Sequence, residues 1–338
     1  MRNKVQYDEL KKAFKLLKST YAFDMFDKYP AMLYLFDETS RAVVILCEND
    51  NESYSIYVHR NLKGINSLYD NLYCTVPFFK ELCYATMLHI MLEPRGNLTE
   101  EDIEYLHSMK KKAMPKDNLI PYFFKEGYPK RYAKEKECEY VTQYIYYIYS
   151  LIRNEKDGLV KAFDNEQLIV AAFDNVKNLY QVYSTPPVLF ETMPPLKKIN
   201  QGFVNEYQDK TYVDDTLHLS HSYYTPLDEA YQGAYPSILL GYYEKQDIKH
   251  YVKLDISPSR VPDFATGFLD EVIKLGGLPT KIVINHRSIY AMLLHTLEAL
   301  KIEVVFHRDD EEVLDPIYDI IELFDKEVEE GGTKPISE

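Results

Sequence analysis

Tryptophan is missing from the 338 residues, glycine occurs only 12 times and cysteine only 4 times. Each shortage excludes a class of chemistry. Phosphate-cradling loops need glycines at fixed spacing between a strand and a helix, and neither G-x-G-x-x-G nor G-x-x-x-x-G-K-[ST] occurs. The pair Gly276-Gly277 follows a helical pattern instead of a strand, so a dinucleotide or Walker-type site is not expected. Cys47, Cys74, Cys83 and Cys138 include no C-x-x-C spacing, which removes zinc ribbons and dithiol redox motifs. No serine lies in G-x-S-x-G, and H-E-x-x-H is absent.

Positive charge is also in deficit. Lys and Arg total 39 against 53 Asp and Glu, a formal net charge of -14. Such a surface repels phosphate backbones and disfavours nucleic acid as a partner. No apolar run approaches the ~18 residues of a membrane helix. The opening MRNKVQYDELKKAFKLL carries charges throughout, unlike a signal peptide, and the scattered thiols suit a reducing compartment. The expectation is a cytoplasmic protein with no membrane partner.

What is present is ordinary globular material, 46% hydrophobic and 27% charged, long enough for two domains. An amphipathic helix is expected at 6–19, with Leu10, Phe14 and Leu17 on one face. Short β-rich runs at Ala31–Phe36, Ala42–Cys47 and Tyr54–His59, separated by turn-like polar residues, read as an antiparallel meander. A helix at 61–73 and a buried strand at Leu82–Leu92 follow. Thr99 is placed to cap a helix with acids in its first turn. The stretch 110–136 has nine Lys or Arg and several prolines, and reads as a long irregular connection. A helix at 134–153 and strands at Gln167–Phe173 and Leu179–Ser184 close this part.

The pattern predicts an N-terminal α+β domain over 1–185 with an antiparallel sheet and helices. A proline-rich boundary region over 186–234, a C-terminal α/β domain over 235–330 and a frayed tail over 331–338 follow. In the C-terminal domain, strands at Ser237–Tyr243 and His250–Ile256 form a hairpin. Helices at 261–275, 287–300 and 310–328 then alternate with strands at Lys281–Asn285 and Ile302–His307. That alternation predicts a mainly parallel sheet with covering helices.

Two groups of residues carry possible chemistry. Asp255, Asn285, His286 and His307 fall at strand ends, where open sheets place their ligands. They form the candidate ligand-binding set. Asp214, Asp215, His218 and His221 concentrate carboxylates and imidazoles within eight residues of the boundary region. They are the candidate ligands for a divalent metal. No cofactor is predicted beyond that metal.

Two resemblances follow from longer stretches. LPTKIVINHRSIYAMLLHTLEALKIEVVFHRDDEEVLDPIYDIIELF is similar to the C-terminal domain of an uncharacterised bacterial two-domain family. AMLYLFDETSRAVVILCENDNESYSIYVHRNLKGINSLYD, LEPRGNLTEEDIEYLHSM and KEGYPKRYAKEKECEYVTQYI resemble its leading domain. The resemblance implies the domain map and no activity. The stretch KLDISPSRVPDFATGFLDEVIKLGGLPTKIVINHRSIYAMLLHTLEALKIEVVF also resembles ribonuclease H-like transposase cores. That likeness implies two strand carboxylates and a third acid around two divalent metals. Asp255 takes the first place, Asn285 the second, and Glu311 or Glu312 the third. With an amide in the second place, the expected function is binding of a partner protein or small molecule at the domain junction. The alternative is a metal-dependent hydrolase or nuclease, degenerate at Asn285.

Overall fold

Helix α1 (Arg2–Lys18) forms where apolar side chains recur at helical spacing, and its Tyr7, Leu10, Phe14 and Leu17 are buried. The computed structural model describes residues 2–24, 33–36, 41–49, 53–73, 85–154, 159, 168–174, 179–185, 194–224, 233–307 and 310–329. Two compact units divide the chain. The first comprises Met1–Leu68, Ala85–Lys125 and Lys130–Phe190, and the second Tyr69–Tyr84, Glu126–Pro129 and Glu191–Glu338. The expected frayed tail over 331–338 lies outside the described residues.

The first unit is built on an eight-stranded sheet. Its strands are β1 (Leu33–Phe36), β2 (Arg41–Asn49), β3 (Ser53–Arg60), β4 (Met87–Glu93), β5 (Asn118–Lys125), β6 (Tyr128–Tyr132), β7 (Leu168–Asp174) and β8 (Leu179–Thr185). They lie in the order β6-β5-β4-β3-β2-β1-β7-β8. The expected meander is present as antiparallel β1, β2 and β3, and β4 and β5 continue it. Only the β1–β7 pairing is parallel among the registers described. Helix α2 (Asn61–Tyr73) follows β3 directly. Helix α1 packs on α4 (Glu135–Asn154), whose Val141, Ile145, Ile148 and Ile152 join Ile56, Val58 and Ile90 of the sheet in one core.

Helix α3 (Glu100–Ser108) starts at Thr99, as its sequence predicts. The Thr99 hydroxyl accepts from the Asp102 amide, and the Asp102 carboxylate accepts from the Thr99 amide at 3.0 Å. The basic stretch 110–136 is not an irregular connection. Residues 118–132 form β5 and β6, which turn at Gly127 with φ of 75°. Pro121 argues against a central strand from sequence alone. It is accommodated opposite Ile90, and its carbonyl accepts from the Ala133 amide at 2.8 Å.

The second unit carries a five-stranded sheet. Its strands are β9 (Tyr212–Tyr223), β10 (Ser237–Tyr243), β11 (Ile248–Leu254), β12 (Leu278–Ile284) and β13 (Glu303–Phe306), in the order β11-β10-β9-β12-β13. This sheet is mixed. Parallel pairing holds the β9–β12–β13 half, as the alternation of strands and helices requires, whereas β9, β10 and β11 pair antiparallel. Together with the first sheet this makes an α+β protein.

The span expected as a boundary, 186–234, contains α5 (Gln201–Tyr207) and the central strand β9. Asp214, Asp215, His218, Ser220, His221 and Ser222 give that strand a polar composition that conceals it, yet its residues from Leu217 to Tyr223 are all buried. Helices α6 (Val261–Gly276) and α7 (Arg287–Ala299) cover one face, where Leu269, Val272, Ile289 and Leu293 meet Leu217, Leu219 and Leu239. Helix α8 (Leu314–Glu329) covers the other, where Ile317, Ile320 and Ile321 meet Ile238 and Leu240. Helix α6 ends at Gly277, whose φ of 89° only glycine adopts without strain.

Candidate functional site

Strands β9, β11, β12 and β13 run in one direction. Asp255, Asn285, His286 and His307 therefore all emerge at the same end of the second sheet. They do not all meet. Asp255 follows the edge strand β11, and β10 and β9 intervene before β12. Three strand spacings separate Asp255 from Asn285, about 14 Å. Asp255 and His307 are exposed. The His307 amide donates to the Ile284 carbonyl at 3.1 Å and closes the end of β13.

Asn285 and His286 belong to a cluster that the sequence does not delimit. The Asn285 amide group spans two strands: Oδ1 accepts from the His221 backbone N–H at 3.2 Å, and Nδ2 donates to Ser220 Oγ at 2.7 Å. His221 Nε2 lies 3.1 Å from Ser237 Oγ at the start of β10. The rings of His221 and His286 stand edge to face with centroids 4.5 Å apart, and Tyr223 packs on His221 at 4.7 Å. Glu126, which belongs to this unit, accepts from Tyr223 Oη at 3.2 Å and lies 3.9 Å from His286 Nε2. Nδ1 of His221 and Nδ1 of His286 are buried without a hydrogen-bond partner among the described residues. Burial, reinforced by the neighbouring His286, holds the His221 ring well below its ordinary pKa and therefore neutral.

Asp214, Asp215, His218 and His221 do not converge on one point. All four lie along β9, and the seven residues from Asp215 to His221 span about 20 Å of strand. Asp214 is solvent-facing and pairs with Lys245 Nζ at 2.9 Å. Asp215 fastens the β10–β11 turn, accepting from the amides of Lys245 at 2.9 Å and Gln246 at 3.1 Å. His218 faces the α8 side, where Nδ1 lies 2.8 Å from Asp310. Among the described residues no group of three or more His, Cys, Asp or Glu is placed to hold a metal.

Ser220, Ser237, Glu126 and Asp310 were not legible as site residues. Ser220 becomes visible only once β9 is known as a strand in register with β12, where Leu219 pairs with Ile284. Asp310 is one acid among several before α8. The basic stretch is partly neutralised within its own unit, Lys111 by Asp8 and Arg131 by Glu137. Arg131 also lies over the Phe123 ring at 4.3 Å.

Among the described residues no helix is long and apolar enough to cross a membrane. No family model matches the chain, and no curated protein matches it. Among solved structures it is similar to a chain in the cryo-electron microscopy structure of the simian T-cell lymphotropic virus intasome in complex with PP2A regulatory subunit B56 gamma. The identity is 12% and the TM-score 0.29, over 37% of this chain. This chain spans 45% of that one, and a likeness at this level identifies neither fold nor function.

Proposed function

We propose that this protein binds a small polar ligand at the carboxyl end of the β9–β12 pair and does no metal-assisted hydrolysis there. The observation that carries the reading is the pair of buried ring nitrogens, His221 Nδ1 and His286 Nδ1, that find no partner among the described residues. Leaving a buried polar atom unsatisfied costs about 1–3 kcal/mol. Two such atoms on touching rings favour an outside group that completes both. A neutral His221 offers one donor and one acceptor, and Asn285 is neutral. The chemistry fits a hydroxyl- or amide-bearing molecule better than a phosphate. Cys138, a free thiol among the described residues, supports a reducing, cytoplasmic setting.

The order β11-β10-β9-β12-β13, with antiparallel strands leading into parallel ones, supports the ribonuclease H-like resemblance of this unit. In that reading the adjacent-strand ligand positions fall to Ser220 and Asn285, whose side chains touch at 2.7 Å. Neither is an acid, and Asp255 is too distant to replace one. Two-metal hydrolysis needs anionic ligands at those places, which weighs against the hydrolase alternative. Membership of the bacterial two-domain family is likewise a proposal, supported by the division into two units.

Thermal-shift measurements with a panel of nucleosides, sugars and amides test the binding reading. A ligand of this site raises the Tm of the wild type by several degrees and leaves His286→Ala unchanged. Absence of any compound that separates the two proteins counts against it.

A further inference from the structure

His218 stands midway along β9, and its Nδ1 lies 2.8 Å and 3.0 Å from the two carboxylate oxygens of Asp310. Both residues are almost fully buried, 5% and 3% exposed. Asp310 immediately precedes the 3₁₀ turn Glu311–Val313, which leads into α8. Val313 of that turn and Ile317 of α8 pack on Ile238 and Leu240 of the sheet. The ion pair thus sits where the covering helix is joined to the central strand.

We infer that His218 and Asp310 form a pH-dependent clasp, which fastens the leading turn of α8 to the sheet while His218 is protonated and slackens when it loses its proton. The groups facing His218 favour that behaviour. Asp310 and Glu312 approach from the 3₁₀ segment, and Glu244, in the turn after β10, lies 3.8 Å from Nε2. The Tyr242 ring is 6.2 Å away on β10. Asp310, Glu244 and Glu312 all favour the protonated ring.

Protonated, the imidazolium faces the carboxylates of Asp310, Glu244 and Glu312. Deprotonated, it withdraws its counter-charge from Asp310, which is costly for a buried carboxylate. Burial alone would lower the histidine pKa. The Asp310 hydrogen bond and the surrounding charges outweigh it and raise the value above the ordinary 6.5. Because the folded pKa is raised, the clasp is complete below about pH 6.5 and is lost as pH climbs through the raised value. Two other ties, Lys249 to Asp319 at 3.0 Å and Tyr224 Oη to Asp325 at 2.9 Å, join groups whose ordinary pKa values lie outside that window. The body of α8 therefore stays docked while its leading turn responds.

Hydrogen exchange of the full-length protein, followed on peptides covering 310–320 and corrected for intrinsic rates, tests the clasp between pH 6 and pH 9. The wild type is expected to lose protection about tenfold for each pKa unit by which His218 is raised. Asp310→Asn should be poorly protected and flat with pH. Unchanged wild-type protection, or the same pH slope in Asp310→Asn, overturns the inference. Should that variant fail to fold, nitrogen NMR of histidine in the wild type decides. A His218 midpoint above 6.5 supports the clasp, and one at or below 6.5 rejects it.

Discussion

Buried histidines shift in opposite senses, and burial against partnership decides the sign. His59 in β3 is buried with Nδ1 unpartnered, and desolvation lowers its pKa to about 4. His89 in β4 is lowered to about 4 by the same cause, with Lys130 adding to it. A folded pKa below the unfolded one means the native state holds fewer protons between these values. Stability is therefore full above about pH 6.5 and falls as pH drops toward 4, by up to ~3 kcal/mol for His59. Urea unfolding of the wild type and His59→Gln at pH 6.5 and pH 4.5 checks this. The wild type should lose more stability over that interval than the variant, and equal losses would refute the assignment. His218 moves the other way because Asp310 is within hydrogen-bond reach. The chain spells both residues alike, so neither sign was legible in the sequence.

Elements differ in how openly the sequence declares them. The meander β1–β2–β3 and the alternation from α6 to α8 were legible because turn residues punctuate clear apolar runs. Thr99 declared the start of α3 through its spacing to Asp102. Replacing Thr99 by Ala should lower stability by about 1 kcal/mol, read as a shift in the urea midpoint at unchanged slope. Strands β5 and β9 were concealed for opposite reasons. Proline and lysine mask β5, whereas buried serine and histidine mask β9, where Ser220 meets Asn285 and His221 meets Ser237. Helix α6 ends under a steric constraint that sequence shows only as Gly276-Gly277. A Cβ on Gly276 would fall 2.2 Å from a Tyr243 ring carbon, and the Tyr243 hydroxyl donates to the Gly277 carbonyl. Gly276→Val should therefore cost at least 1–3 kcal/mol, roughly the cost of overpacking, and its Tm should fall by several degrees. A variant as stable as the wild type would show that the helix end can move away from the ring.

At the scale of the whole molecule, the α+β class follows from the order of elements and was legible. The polar site was legible only in half. Asn285 and His286 stand at a strand end that the alternation predicts, but their companions Ser220, His221 and Ser237 depend on pairing across a concealed strand. In the proposed ribonuclease H-like reading, that pairing puts Ser220 in the place expected of Asp255. Most centrally, Ser220 and Asn285 stand at the end of this sheet where two-metal chemistry needs carboxylates. Calorimetric titration with manganese is the most direct test. The account predicts no binding at this site in the wild type and a new site in the double variant Ser220→Asp, Asn285→Asp. Manganese binding by the wild type that disappears in Asn285→Ala would contradict it.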